Sequence, residues 1–179
     1  PIDHVFTQAG GGGMTLAIAG AFQDLHQQGR IDYLPRVECV QPEGNNTIAG
    51  PLRDGMDRGQ QVSCTSQISG LQVANVIDGN EVIAECRPLG GTGYVVTDEQ
   101  VYTMQRRLAR EEGIFAEPAG AVALAGALKA ADGGEISKSA PTVCVISGIG
   151  FKDTVAVDRI NEDVDCPTVD PSVLESEAA

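Results

Sequence analysis

Residues 10–13 are four consecutive glycines. They stand between a β-prone run, Val5-Phe6-Thr7-Gln8-Ala9, and an apolar run that opens Met14-Thr15-Leu16-Ala17-Ile18. Four residues without a Cβ let the backbone take positive φ and let another group approach it closely. A helix that starts just behind them begins with unpaired N–H groups and the positive end of its dipole. Strand, glycine turn and helix start together can hold a phosphate; the plainer reading is a tight strand–helix turn. Two familiar phosphate motifs fail here. A G-x-G-x-x-G counted from Gly10 ends on Thr15, and counted from Gly11 it ends on Leu16. A Walker loop needs Lys followed by Ser or Thr where Met14-Thr15 stand.

Behind this loop, strand-like and helix-like stretches alternate. Residues 3–9, 36–41, 81–87, 94–96, 114–116 and 142–146 read as strands. Helices are predicted over 14–28, with Gly29 as the stop, over part of 45–59 with a break at Gly50-Pro51, and over 64–78, with Ile68, Leu71, Val76 and Ile77 inward. A capping box, Thr97-Asp98-Glu99-Gln100, starts another helix that ends at Gly113. Pro118 suits the first turn of the next, which runs to Gly133, and 151–161 is the last. The first helix is apolar on most sides early, which predicts buried first turns. The central strands are apolar throughout, the pattern of a mostly parallel sheet covered on both faces. The expected fold is therefore α/β, a three-layer αβα arrangement. Ligands in such sheets sit beyond the carboxyl ends of the strands. The glycine loop, Glu117 and Ser147 each follow a predicted strand, so all three should meet on that edge.

A net charge of −13 with three lysines argues against nucleic acid or an anionic membrane surface as partner. Apolar residues make up 42% of the chain, enough for a packed core. The five cysteines are odd in number and contain no C-x-x-C pair, so neither a disulfide framework nor a zinc site is suggested, and a reducing cytoplasmic compartment fits. Cys39, Cys86 and Cys144 are expected to pack as small apolar groups. His4 and His26 match no motif.

Three stretches in order carry a family likeness: Gly10-Gly11-Gly12-Gly13-Met14, then Phe115-Ala116-Glu117-Pro118-Ala119-Gly120, then Ser147-Gly148-Ile149-Gly150-Phe151-Lys152-Asp153. Together they resemble the fold type II pyridoxal-phosphate enzymes, the tryptophan synthase β-like group that includes threonine synthase, threonine dehydratase and serine racemase. The glycine loop is similar to that of dehydratases and racemases; the Ser147 motif is more like that of threonine synthases. The resemblance runs from about residue 3 to 153. It implies a pyridoxal 5′-phosphate cofactor, its phosphate held by Gly10, Gly11, Gly12, Gly13 and Met14. Ser147 would bond the pyridine nitrogen and Glu117 would lie beside the ring. Taken alone, Ser147 could instead satisfy a local turn, and Glu117 could favour a helix start through its charge. Lys152 is not at the family's Schiff-base position and reads equally as a solvated helix start. No catalytic residue is assigned, because none of Lys129, Lys138 and Lys152 sits where the family keeps that lysine.

The resemblance implies a lyase or synthase acting on a small amino-acid substrate, most like threonine synthase, which converts O-phosphohomoserine to threonine and phosphate. The alternatives are a threonine/serine dehydratase-like lyase and a non-catalytic phosphate-binding α/β module. Residues 1–165 would form the C-terminal, cofactor-phosphate domain, and 166–179 an acidic, mobile tail. The chain opens on Pro1 and lacks the family's first half, so a missing N-terminal half is the expected partner, without which this chain should be inactive. Many relatives are dimers, and a homodimer is compatible. Some relatives bind a divalent cation through carboxylates at positions where this chain has Gln41 and Thr47. A neutral amide and a hydroxyl are poor hard-cation ligands, so no metal is expected.

Overall fold

The computed structural model describes residues 1–165, 168 and 170. Four parallel strands form one sheet: β1 (His4–Gln8), β2 (Arg36–Pro42), β3 (Gly93–Val96) and β4 (Thr142–Cys144), in the order β3-β2-β1-β4. Val5 pairs with Val37 on one side and with Val143 on the other. The chain moves from β1 outward through β2 to β3, then returns to the opposite side of β1 for β4. The β1–β4 gap is therefore where the winding reverses, the place where open parallel sheets bind ligands.

Two apolar layers explain why the middle of the sheet is buried. Helix α1 (Gly13–Gln27), the five-residue α2 (Ala49–Arg53) and α3 (Gly79–Cys86) cover one face, around Val37, Cys39, Ile48, Val82 and Ile83. Helices α4 (Asp98–Glu111), α5 (Pro118–Asp132) and α6 (Thr154–Asn161) gather on the other, around Phe6, Val40, Tyr94, Val101 and Val122. Period-2 alternation in β2 sends Val37 and Cys39 to the first layer and Val40 to the second. The same alternation lays Glu38 beside His4, whose Nδ1 stands 2.9 Å from Glu38 Oε1. The Thr97 capping box forms as predicted, with Thr97 Oγ1 accepting from Gln100 N and Gln100 Oε1 from Thr97 N.

Several local expectations are overturned. Residues 81–86, read as strand, lie in α3, because Val82, Ile83 and Cys86 make one buried helical face while Glu81 and Ala84 turn outward. Residues 64–78 contain no helix. Gly70 takes φ +82°, and Ser66 Oγ accepts from Ile68 N, a local bond that competes with helix formation. Gly50-Pro51 does not interrupt α2: the helix starts at Ala49, so Pro51 falls in its first turn, where a missing N–H is harmless. Residues 114–116 form no strand; Ala116 makes a single antiparallel bridge to Ile149.

The covering layers are also uneven. The two-sided burial expected of the central strands holds for β1 and β2, whereas Thr142 and Val143 of the edge strand β4 are exposed. The first turns of α1 are not buried as predicted. Thr15 and Ala19 are buried, Leu16, Ile18 and Phe22 pack half-buried against the same layer, and Met14, Ala17 and Ala21 face outward. Thr168 and Asp170 are the only described residues of the proposed tail; the rest of 166–179 lies outside the described residues.

Candidate functional site

Strand β1 ends at Gln8, and the glycine loop turns the chain back into α1 over the β1 carboxyl end. Gly12 is the pivot. It takes φ +108°, and a Cβ there would lie 2.8 Å from Val82 Cγ2, so both backbone and space demand glycine. The loop is pinned from behind. Asp78 N donates to Gly11 O, and Ala9 N donates to Val40 O. Gln41, fully buried, donates through Nε2 to Ala9 O at 3.1 Å and to Thr47 Oγ1 at 3.0 Å. Its Oε1 accepts from Ile48 N and Ala49 N. Gln41 and Thr47 thus belong to a closed hydrogen-bond network in which Gln41 uses both ends. The first N–H groups of α1, on Gly13, Met14 and Thr15, precede any intrahelical partner.

The other wall comes from two segments that zip together. Glu117 N donates to Gly148 O, Gly150 N donates to Phe115 O, and Ala116 bridges Ile149. This antiparallel contact explains why Glu117 and Ser147, thirty residues apart, stand together. Glu117 is 7% exposed and precedes α5 without capping it by its side chain. The carboxylate instead accepts from Lys152 Nζ at 3.1 Å. Glu117 makes no side-chain capping bond, although its charge still stands at the N-terminus of α5, where the helix dipole favours it. Lys152 is 62% exposed along its side chain, yet its ammonium is held at the cavity wall rather than simply solvated.

A cavity of about 270 Å³ opens between these walls. Gly10, Gly11, Gly12, Gly13 and Met14 line one side; Glu117, Ala119, Ser147 and Lys152 line another, and Gly70 with Leu71 closes it. Every sequence-predicted site residue borders this one space. Gln8, which sequence reasoning passed over, borders it too. Its Nε2 donates to Ser147 Oγ at 2.5 Å and ties the end of β1 to the segment after β4. The signal for it was its place as the last residue of a strand feeding a glycine loop. A larger cavity of about 450 Å³ lies at the amino edge of the sheet, lined by His4, Arg36 and Glu135 among others, and holds none of the predicted residues.

Elsewhere, burial is the largest influence on Glu38 and on three of the cysteines. It pushes the Glu38 carboxyl up, against the lowering effect of bonds from Thr92 N and His4. It likewise pushes the Cys86 thiol up to about 12 and the Cys144 thiol to about 11, and raises Cys39 well above its ordinary value. Among the described residues no group of three or more His, Cys, Asp or Glu is placed to hold a metal ion, and no helix is long and apolar enough to cross a membrane.

Known proteins resemble this chain in sequence and in fold. A family described as "Pyridoxal-phosphate dependent enzyme" matches residues 1–148. The threonine synthase of Methanosarcina acetivorans is 30% identical over 168 residues, covering 93% of this chain and 41% of its own. That of Methanocaldococcus jannaschii is 31% identical over 162 residues, covering 90% and 40%. The chain thus spans about two-fifths of the length of these curated relatives. Among solved structures, the processed form of threonine deaminase isoform 2 from Solanum lycopersicum superposes with TM-score 0.71 at 22% identity, covering 92% of this chain and 45% of that one. Maize serine racemase does so with TM-score 0.66 at 18% identity, covering 91% and 49%. The fold is that of the tryptophan synthase β-like enzymes.

Proposed function

This chain belongs to the pyridoxal-phosphate dependent enzyme family, and we propose that it forms the cofactor-phosphate portion of a threonine synthase-like enzyme. The observation that carries the proposal is the convergence of the glycine loop and Ser147 on one cavity at the reversal point of the sheet. The residues present fit the cofactor. Backbone N–H groups of the Gly10–Gly13 loop and Met14, at the start of α1, suit its phosphate. The Ser147 hydroxyl suits its ring nitrogen, and the Gln8 carboxamide oxygen is buried beside them with no hydrogen-bond partner. That orphaned acceptor marks a site with polar capacity left to fill.

When bound, pyridoxal phosphate supplies an electron sink for charge developing on an amino-acid substrate. The chain's own residues would set how strong that sink is. Ser147 is a hydroxyl, so it can share a proton with the ring nitrogen but cannot provide the counter-charge a carboxylate would. This favours elimination and replacement over transamination. Glu117, held by Lys152, would border the ring edge and fix the cavity wall. Leu71 and Ala119 supply apolar surface that excludes water from the same space.

The lysine that would carry the cofactor is proposed to lie outside these 179 residues. Lys129 donates to Val95 O of β3 and, like Lys138, does not line the cavity, and Lys152 is engaged by Glu117. The cytoplasm is the proposed compartment. The test takes the protein in the longest form its gene encodes, loads it with pyridoxal phosphate, and assays O-phosphohomoserine and threonine in parallel. Phosphate release from the first supports the synthase. Production of 2-oxobutyrate from the second alone would assign it to the dehydratases, which the Gly-Gly-Gly-Gly-Met loop resembles. No cofactor uptake would leave a non-catalytic phosphate-binding module and refute the enzyme reading. Borohydride reduction of the 179-residue chain should place no stoichiometric adduct on its three lysines.

A further inference from the structure

We propose that Lys152 is a positioning residue: it holds the Glu117 carboxylate, cancels its charge, and so lets a ligand with a dianionic phosphate enter the cavity. The inference rests on the cavity being the cofactor site and adds a residue and an electrostatic role to that reading. Among the described residues lining the cavity, Glu117 is the only acidic side chain and Lys152 the only basic one. Their carboxylate and ammonium meet at 3.1 Å. The rest of the lining is glycine-loop backbone, apolar side chains and the uncharged Gln8 and Ser147. The pair thus decides the net charge that these residues present to a ligand: zero with Lys152, one negative charge without it.

Glu117 is held in the cavity wall from more than one side. Its backbone N donates to Gly148 O, and a Cβ on Gly148 would overlap its Oε1, so the carboxylate is seated on the Ser147 turn. It is buried, whereas Lys152 reaches it from the solvent side. The start of α5 offers that carboxylate about half a positive charge; Lys152 supplies a whole one. A cavity of about 270 Å³ leaves any anion inside it within a Debye length, about 8–10 Å, of Glu117. A phosphate ester carries roughly −1.5 to −2 charges at neutral pH. Repulsion from an unpaired Glu117 would pass through protein more than through water, and salt would screen it poorly. Folding stability and ligand affinity separate on this point. The ion pair has one partner in solvent and adds little to stability, while the charge it cancels bears directly on the ligand.

The experiment uses the longest form of the protein and 4-deoxypyridoxine 5′-phosphate. This probe carries the cofactor's ring and phosphate but no aldehyde, so its binding reports on the cavity without a bond to lysine. Affinity is read by calorimetry at one pH and one ionic strength. Lys152→Arg should bind as the unsubstituted protein does, Lys152→Met about tenfold more weakly, and Lys152→Glu more weakly again. Glu117→Gln placed in the Lys152→Met background should return the affinity to within about threefold of the parent. Urea midpoints of the Lys152 variants should stay close to the parent's, which separates the role from a structural one. Unchanged affinity in Lys152→Met, a Lys152→Arg as weak as Lys152→Met, or a Lys152→Glu no weaker than it would each overturn the inference. So would a double variant as weak as Lys152→Met, which would put Lys152 itself on the phosphate. Should Lys152→Met fail to fold, Glu117→Gln decides alone: removing the carboxylate should tighten binding, and unchanged or weaker binding refutes the role. An unsubstituted protein that does not bind the probe overturns the underlying site reading instead, and the inference with it.

Discussion

Gly148→Ala should be costlier than an ordinary glycine substitution, and a second glycine supplies the comparison. Gly148 has φ +62°, and a Cβ there would lie within bonding distance of the Glu117 carboxylate, overlapping Oε1 outright and sitting 2.8 Å from Cγ. Gly134 has φ +70° with nothing within 4 Å of its would-be Cβ. Both alanines meet the left-handed penalty of roughly 1–2 kcal/mol. Both gain back about 0.4–1 kcal/mol from a stiffer unfolded chain. Gly134→Ala should therefore destabilise by roughly 0–1.6 kcal/mol. Gly148→Ala adds the displacement of Glu117 from its rotamer, about 0.5–1.5 kcal/mol. It also loses the bond to Lys152, which is mostly solvated and so worth at most about 1 kcal/mol. The expected gap between the two variants is thus roughly 0.5–2.5 kcal/mol. Urea unfolding of both variants, with Gly148→Ala repeated in a Glu117→Ala background, measures it. The crowding should disappear when Glu117 is truncated. Equal costs for Gly148 and Gly134, or no relief in the double variant, would refute the packing of Glu117 against the Ser147 turn.

Four further outcomes are expected. Gln41→Glu should destabilise at neutral pH by about 1–3 kcal/mol, since one carboxylate oxygen would face the Ala9 carbonyl without a proton to give it; acid or added Ca²⁺ should reduce that loss in thermal melts, and a variant as stable as its parent without either would refute the network. Glu38 has a folded pKa raised by burial, so its contribution to stability falls as pH climbs from the unfolded value, about 4.3, through the folded one. Glu38→Gln should lack that fall, and parallel denaturation curves at every pH would contradict it. Thr97→Ala removes the cap on α4 and should cost about 1 kcal/mol in urea unfolding; no change would mean the box is not formed in solution. Iodoacetamide at neutral pH should spare Cys39 and Cys86 in the native state, since both are buried and their thiols are pushed up, and peptide mapping that finds either modified early would count against this core.

The parts of the site that could be read from the sequence are those whose physics is local. A glycine run between a strand and a helix declares its own geometry, as Gly12 at φ +108° bears out. A capping box is a contact between residues three apart, and it formed as read. The helical errors have a shared cause. In 81–87 a β-branched pair, Val82 and Ile83, outweighed the spacing to Cys86, although that spacing decides burial once the segment lies on a sheet. In 64–78 apolar residues at helical intervals suggested a helix, but the segment's role is to back the glycine loop, and contacts from Gly70 and Val73 to Gly10 require an irregular path.

What the sequence could not offer was partnership across distance. Gln8 and Ser147 are 139 positions apart, and nothing at either position signals the other. They meet only because β4 returns to the side of β1 opposite β2, a choice of winding order rather than of local propensity. The same reversal explains Glu117. A carboxylate just before a helix is a sufficient reading in one dimension. In three, the helix start is drawn against the Ser147 turn, and the side chain finds Lys152 instead of the backbone N–H groups behind it. The motif residues thus share a wall because two chain segments pair antiparallel at 115–117 and 148–150, outside any strand that sequence patterning could detect. That pairing, more than the motifs themselves, makes one cavity out of three separate stretches.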